Sequence, residues 1–518
     1  MAETIAADVL VLGAGPGGYA AAFRAADLGK QVVMVDRAPR PGGICLHHGC
    51  IPSKALLHAG DMIRRAREAS TYGLDFGTPR IDTEKLDAWK QQVIDELAAG
   101  IDSLAKQRDV RIVHGRAHFA GPDRIEVLGE HAVMITFEHC IIATGSRSVQ
   151  VRDWRLPSGR VVDSYDALNI HPLPENLLVI GGGYIGLELG QVYSALGTRV
   201  QVVEVTEGVL PGVDRDLARP LQQRIAEMFV GVHLDTRVTG LKDVDGGVKA
   251  SFSGEVAEPD TVFDKVLVAV GRRPNSDGIG LENTGARVDD QGFIINDAQH
   301  RTTQANIYAI GDVAGQPLLA HKASYEGKVA AEVLAGTASA DDRRAVPAVV
   351  FTDPEVAWCG VTETQAQEDG FEVAVARFPW KRSGRAKTLG STDGMTKVIV
   401  DPASNRIIGV GIVGRGADNM ISEGVFACEM GASVEDLARS IHPHPTLSET
   451  LSGAAEVFLG SATDVLARRR RGGGGPRERA DGEQNGEQDD DQDQDDEQDQ
   501  DDDQGDDQGG DQDDETGA

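Results

Sequence analysis

Ala7-Asp-Val-Leu-Val-Leu-Gly-Ala-Gly-Pro-Gly-Gly18 decides the fold. A short apolar run leads without a break into glycines at 13, 15 and 18, and an alanine-rich stretch follows. The apolar run reads as a buried strand and the alanines as a helix. Val32-Val-Met-Val-Asp36 is a second strand that ends in an acid. Strand, glycine turn, helix, strand and acid, in that order, are the full context of a dinucleotide-binding unit. Gly13 makes the turn, Gly15 lets the backbone approach a pyrophosphate, and Gly18 lets the helix pack on the strand. Asp36 is placed to accept from a ribose hydroxyl. The bland alternative, a glycine-rich structural turn, does not explain the strand and acid that follow.

The pattern recurs. Leu177-Leu-Val-Ile-Gly-Gly-Gly-Tyr-Ile-Gly186 runs into a helix through Leu196, and Val200-Gln-Val-Val-Glu204 follows. Gly181, Gly183 and Gly186 repeat the three glycine roles, and Glu204 repeats the acid. A carboxylate there favours a free 2′-hydroxyl over a 2′-phosphate, so the second nucleotide is expected to be NAD rather than NADP. Two units imply two dinucleotides and an α/β chain with two Rossmann-like domains.

Between them lies Gly42-Gly-Ile-Cys-Leu-His-His-Gly-Cys-Ile-Pro-Ser-Lys54. Pro52 suits the first turn of a helix, where its missing N–H costs nothing. Cys50 is therefore expected at a helix N-terminus, which stabilises a thiolate. Cys45 falls in the loop or first turn before it, close enough to close a small ring. That is the arrangement of a redox-active pair. Two structural cysteines or a metal site are the competing readings. Zinc usually draws on two separated knuckles, and no second cluster exists here. Reduced Cys45 and Cys50 beside His47 and His48 would be a good donor set for zinc, against the bland alternative that both histidines point elsewhere. Cys140, Cys359 and Cys428 are scattered singly and read as core residues.

Residues 60–110 read as amphipathic helices, and strands return near Arg111 and from Ile135 to Ala143. Ile307-Tyr-Ala-Ile-Gly-Asp312 is a strand ending in an acid that either binds a sugar-alcohol chain or caps the next helix. From about Arg344, alternating strands and helices build an α+β unit carrying His442-Pro-His-Pro-Thr-Leu-Ser-Glu449. The net charge of −31 is uneven: 21 acidic and 2 basic residues lie from Gly472 onward, leaving 61 acidic and 49 basic before it. The end of the chain, rich in Asp, Gln, Glu and Gly, cannot bury a core and is expected to be disordered. A moderately acidic body excludes a nucleic-acid footprint. No apolar run is long enough for a bilayer, and the N-terminus lacks a signal peptide's basic start, so a cytoplasmic protein is expected.

The two fingerprints, the Cys-x4-Cys pair, Tyr-Ala-Ile-Gly-Asp and His-Pro-Thr-x-x-Glu together resemble the pyridine nucleotide–disulfide oxidoreductases over roughly residues 5–465. Cys50-Ile-Pro-Ser-Lys-Ala-Leu-Leu-His58, Leu319-Ala-His-Lys322 and His444-Pro-Thr-Leu-Ser-Glu449 resemble the branch that oxidises dihydrolipoyl groups. The resemblance implies an FAD-binding domain in two parts, 1–148 and 273–343, and an NAD-binding domain over 149–272. It also implies a dimerisation domain over 344–467, with the acidic tail over 468–518. FAD, one per subunit, would meet Gly13, Gly15, Gly18, Asp36, Gly43, Lys54, Gly115, Ala117, Thr144, Gly145, Asp312 and Ala320. Lys54 would pair with Glu188. NAD⁺, as co-substrate, would meet Gly181, Gly183, Gly186, Glu188, Glu204, Val238 and Gly271. Cys45 would be the interchange thiol and Cys50 the thiol beside the flavin. His444 would be the acid/base, oriented by Glu449 and reaching the disulfide of the other subunit of a homodimer. No resident metal is implied. The partner would be a lipoyl-bearing acyltransferase or lipoyl carrier protein, serving a 2-oxo acid dehydrogenase complex or the glycine cleavage system.

The chain departs from the family at Ile44, His47 and His48, where Thr and Asn-Val are usual. Ile44 removes a hydroxyl, and the histidines sit inside the redox loop. A glutathione-type reductase is the first rival, opposed by Glu204 because such enzymes take NADPH. A mercuric reductase is disfavoured because no cysteine follows Cys428. A non-catalytic flavoprotein is disfavoured by the intact set of Cys45, Cys50, Lys54, His444 and Glu449.

Overall fold

Glu3–Leu12 is a central strand of the first sheet in the computed structural model, which describes residues 3–129, 132–256 and 258–466. The expected tail over 468–518 lies outside these residues, as does residue 467. Val9, Leu10 and Val11 are fully buried, because a parallel sheet is covered on both faces. Glu3–Leu12 pairs in parallel with Val32–Asp36 on one side and Val133–Ile142 on the other. Arg111–His114 extends one edge, and the hairpin Arg116–Gly121/Arg124–Leu128 extends the other. Ile307–Ala309, from far down the chain, also joins this sheet, parallel to Val133–Ile142. Asp312 is thereby delivered to the same end of the sheet as Gly13.

Small residues let helices close over this sheet. Helix Pro16–Asp27 lies against helix Ala320–Leu334 with Gly17 and Gly327 at the crossing; a Cβ on Gly327 would sit 2.5 Å from the Gly17 carbonyl. Ala21, Ala22, Ala330 and Ala331 complete a dry contact.

The second nucleotide unit is a five-stranded parallel sheet. Its order is Gly231–His233, Arg199–Val203, Asn176–Ile180, Lys265–Val268, Val161–Val162. A meander of Arg237–Val244, Gly247–Ser253 and Val262–Phe263 packs beside it. The third main sheet is antiparallel: Ala348–Val350, Val356–Gly360, Ile407–Val413, Met395–Val400, Ala374–Pro379. Helices Ala417–Met430 and Glu449–Leu459 cover it.

A charged cage ties the second and third units together. Lys397 is fully buried on strand Met395–Val400, and its Nζ donates to Asp214 at 2.7 Å, Asp216 at 2.8 Å and Glu363 at 2.7 Å. Asp214 also accepts the Glu363 and Thr364 amides, capping the helix Glu363–Asp369. Among the described residues the three carboxylates form one of two acidic clusters, and the ammonium satisfies this one. Removing one partner of such a group strands buried charge. Lys397→Met is therefore expected to lower stability by on the order of 3–5 kcal/mol. The urea midpoint reads this directly, and an unchanged midpoint would show that the cage carries no stability. Among the described residues no helix is long and apolar enough to cross a membrane.

Candidate active site

Both glycine turns are built the same way. Gly13 has φ +107°, and a Cβ there would lie 2.3 Å from the Ala143 carbonyl oxygen. Gly181 has φ +109°, with the Ala269 carbonyl 2.5 Å from an added Cβ. Gly18 and Gly186 pack against the carbonyls of Gly13 and Gly181, so a side chain at either would split helix from strand. Gly15 and Gly183 are different. Each N-caps its helix without any side-chain cap; a Cβ on Gly183 would stand in open space, and one on Gly15 would meet only the Gly43 Cα, at 3.9 Å. The first amides of both helices are left for an anion, as a pyrophosphate requires.

The acids are held by the turns they serve. Asp36 accepts the Ala14 amide at 2.6 Å and the Ala38 amide at 2.7 Å. Glu204 is buried and accepts the Gly182 amide at 2.6 Å and the Thr206 amide at 2.9 Å. Each carboxylate is thus fixed at its strand end with lone pairs remaining for ribose hydroxyls.

The first turn opens on a cleft of about 1170 Å³ whose walls run from Leu12 to Ala323. Gly13, Gly15, Asp36, Gly43, Cys45, Cys50, Lys54, Gly115, Ala117, Thr144, Gly145, Glu188, Asp312 and Ala320 all line it. Gly18 lies beneath the turn instead. The cleft's volume and the bare helix terminus at Gly15 fit a bound FAD. Gly181, Gly183, Gly186, Glu204 and Gly271 belong to the second unit and do not line this cleft. Val238 is packed in the core with Leu178 and Ile180, so its side chain has no ligand-facing surface.

Asp312 does not cap the following helix. Its Oδ2 accepts the Ser146 hydroxyl at 2.5 Å, and Ser146 Oγ in turn accepts from Arg272 Nε at 2.8 Å. Arg272 also donates to the Tyr165 hydroxyl at 3.1 Å. Ser146, Tyr165 and Arg272 line the cleft but were not among the expected site residues. Ser146 follows the expected Thr144-Gly145 and Arg272 follows Gly271, so adjacency to those positions was the available signal.

Cys50 is the first residue of helix Cys50–Glu68, and Cys45 lies in the short helix Gly43–His48 before it. Gly49 makes the joint; a Cβ there would crowd the Ile44 carbonyl at 3.1 Å. The two cysteines are present as free thiols. Cys50 is exposed because the cleft opens on it, although protein surrounds it closely. A hydrogen bond from the Cys45 thiol, helped by the Lys54 ammonium, holds Cys50 down to about 7, against the desolvation of the site. Through the same contact with Cys50, and half-buried, Cys45 is pushed well above the usual thiol range. A lowered pKa means the Cys50 thiolate is present above neutrality and lost as pH falls through about 7. In the dithiol protein, alkylation by iodoacetamide is expected first at Cys50 with a midpoint near that pH. A midpoint near 9, the ordinary thiol value, would refute the assignment.

Lys54 stands one turn beyond Cys50. Its Nζ donates to Glu188 at 2.7 Å and lies 4.4 Å from the centre of the Phe351 ring. Glu188 is buried and also accepts the Phe351 amide at 3.0 Å. Lys54 is thus held at the cleft wall with its charge compensated.

The two loop histidines do not join the cysteines in a donor cluster. His47 Nε2 donates to the Pro41 carbonyl at 2.9 Å, and His48 stacks on Tyr165 with ring centres 5.5 Å apart. Among the described residues, the clusters that could hold a metal do not include this loop. Both histidines are thus engaged elsewhere.

His444 Nδ1 donates to Glu449 Oε1 at 2.8 Å, leaving Nε2 turned outward. Glu449 opens helix Glu449–Leu459 and its other oxygen accepts the Thr446 amide at 2.7 Å. Against some desolvation, the Thr446 amide and His444 hold the Glu449 carboxyl below the usual range. The neighbouring His442 has both ring nitrogens engaged, by the Ser440 carbonyl and Glu423. Of these two histidines, His444 is the one with a ring nitrogen left free. Its side chain is 80% exposed, and it is not among the residues lining the cleft.

Comparison with known proteins identifies a family. Residues 7–327 match the family described as pyridine nucleotide-disulphide oxidoreductase, and residues 346–455 match that family's dimerisation domain. The chain is 44% identical over 467 residues to the dihydrolipoyl dehydrogenase of Vibrio parahaemolyticus, covering 90% of this chain and 98% of that protein. It is also 44% identical to the dihydrolipoyl dehydrogenase of Halobacterium salinarum, covering 89% and 98%. Among solved structures it resembles LpdA from Mycobacterium tuberculosis, with TM-score 0.80 and 25% identity over 88% of this chain and 99% of that one. The HOCl-induced flavoprotein disulfide reductase RclA from Escherichia coli matches with TM-score 0.76 and 27% identity over 87% and 99%.

Proposed function

The chain belongs to the pyridine nucleotide–disulfide oxidoreductase family, and on that premise we propose that it oxidises dihydrolipoyl groups to lipoyl groups and reduces NAD⁺. The observation that carries this reading is the redox pair on the cleft wall, with the Cys50 thiol held near neutrality beside Lys54. FAD, when bound, supplies the two-electron acceptor between the dithiol and NAD⁺. Everything else is done by side chains. His444 Nε2 takes a proton from the dihydrolipoyl thiol, because a thiolate, not a thiol, attacks a disulfide. Glu449 fixes the tautomer and stabilises the imidazolium. The substrate thiolate attacks Cys45 in the Cys45–Cys50 disulfide and releases Cys50 as a thiolate. The second substrate thiol then displaces Cys45, so one disulfide forms as the other opens and two thiols remain on the protein.

The same reading assigns residues 1–148 and 273–343 to FAD, 149–272 to NAD⁺ and 344–467 to a homodimer interface. It places the enzyme in the cytoplasm with a separate lipoyl-bearing acyltransferase or carrier protein. Rates with dihydrolipoamide against glutathione disulfide, and NAD⁺ against NADP⁺, test it. Preference for glutathione disulfide and NADPH would favour the glutathione-type reading.

Nucleotide choice rests on Glu204. Glu204→Ala is expected to weaken NAD⁺ by about 10- to 150-fold, the value of a hydrogen bond to a charged group of about 1.5–3 kcal/mol. Discrimination against NADP⁺ should relax at the same time, as the carboxylate no longer repels a 2′-phosphate. An unchanged NAD⁺/NADP⁺ ratio would place the selection elsewhere.

A further inference from the structure

Cys359 and Cys428 take no part in the proposed reaction, and nothing in their sequence spacing pairs them. The fold does. Cys359 lies on strand Val356–Gly360 and is fully buried. Across the ladder it faces Val410 of strand Ile407–Val413. Helix Ala417–Met430 packs on these two strands, closely at Gly424: a Cβ there would lie 2.8 Å from Val410 Cβ. Cys428 is four residues beyond Gly424, on the same face of the helix, and is also buried. The absent side chain at 424 lets the helix sit low enough for the Cys428 sulfur to reach the strand. There the two side chains share one buried cluster, and each thiol is the largest influence on the other's proton affinity, raising Cys359 and lowering Cys428. Cys140 has no comparable neighbour; burial in the first sheet is the sole perturbation of its thiol.

We propose that Cys359 and Cys428 are a second oxidisable pair, which a peroxide closes into a disulfide tying helix Ala417–Met430 to strand Val356–Gly360. The pair lies in the part of the chain that matches the family's dimerisation domain. The tie would fix to its sheet a helix whose outer face exposes Phe426 and Met430. Cys428 is the attacking sulfur, since the neighbouring Cys359 thiol favours its thiolate. It sits in the last turn before the Gly431 cap, where helices fray and a small oxidant gains access. The Cys428 thiolate attacks one peroxide oxygen and the O–O bond breaks. A sulfenic acid forms, and the departing hydroxide takes up the thiol proton as water. The Cys359 sulfur then attacks the sulfenic sulfur, the S–O bond breaks, and a second water leaves with the Cys359 proton. Two thiols are oxidised and one peroxide is reduced to two waters.

The test removes the catalytic pair so that its chemistry cannot interfere. In the FAD-loaded Cys45→Ser/Cys50→Ser protein, three of the five cysteines remain. Hydrogen peroxide treatment, quenching with catalase and denaturation in a thiol-titrating reagent should reveal one free thiol, that of Cys140. A Cys359–Cys428 peptide linkage should be found by mass spectrometry, and dithiothreitol should restore all three thiols. Three thiols surviving peroxide, a linkage that includes Cys140, or a loss that dithiothreitol does not reverse would each overturn the proposal. Adding Cys428→Ser should leave both remaining thiols titratable after the same treatment. Their loss at an undiminished rate would also overturn it. None of these outcomes depends on what substrate the cleft takes.

Discussion

Cys50→Ser is expected to lower dihydrolipoamide turnover by on the order of 10⁴-fold or more while leaving FAD bound. A serine hydroxyl can neither form a disulfide nor carry electrons, so Cys45 would stand alone and the dithiol exchange could not close. The structural cost should be small. Cys50 is at the first position of its helix, where serine is well tolerated, and it lines the cleft instead of filling a core. The residues proposed to hold the flavin are others, namely the Gly13–Gly18 turn, Asp36 and Asp312. The variant should therefore purify yellow and unfold at a temperature close to the parent's. Electron flow from NADH through FAD to a small artificial acceptor should persist, because that route does not use the cysteines. Retained dihydrolipoamide turnover would overturn the redox-loop assignment. Loss of both turnover and FAD would instead show that Cys50 supports the cleft itself.

The parts of this site that could be read from sequence are those carried by short, local patterns. The glycine turns, the acids at strand ends and the helix start at Cys50 each depend on residues within one supersecondary unit, and the structure shows all of them. What could not be read is set by contacts between distant segments. Ile307–Ala309 joins the first sheet, and this turns Asp312 toward Ser146 when local sequence allowed a helix cap equally well. His47 and His48 looked like metal donors beside two thiols. The carbonyl of Pro41 and the ring of Tyr165 claim them instead. Cys359 and Cys428 read as isolated core residues, and only the close approach at Gly424 brings them together. Lys397 sits in a run of strand-forming residues with no local sign of its three carboxylate partners. In each case the deciding neighbour is far away in sequence, where periodicity and capping rules have no reach.

Mixing two inactive variants is expected to restore activity. His444→Gln should by itself cost on the order of 10²–10⁴-fold, the usual worth of a positioned acid/base. Within one chain, the walls of the cleft come from residues 12–323, and His444 is not among them. Its ring is largely exposed, with Nδ1 held by Glu449 and Nε2 facing away from that bond. A base so placed serves a disulfide only if a second copy of the chain brings its own cleft up to it. In a two-fold dimer each site then takes Cys45 and Cys50 from one subunit and His444 from the other. Let Cys50→Ser and His444→Gln proteins be unfolded together and refolded with FAD. Half of the dimers should be mixed, and each mixed dimer holds one site with both an intact disulfide and an intact histidine. The expected activity is about a quarter of the parent's, from random pairing of two chains. If His444 instead acted on its own chain's disulfide, every site in the mixture would lack one of the two groups and activity would stay at background. Co-refolding with Glu449→Gln in place of His444→Gln should give the same rescue, since Glu449 acts through the histidine it orients and must travel with it.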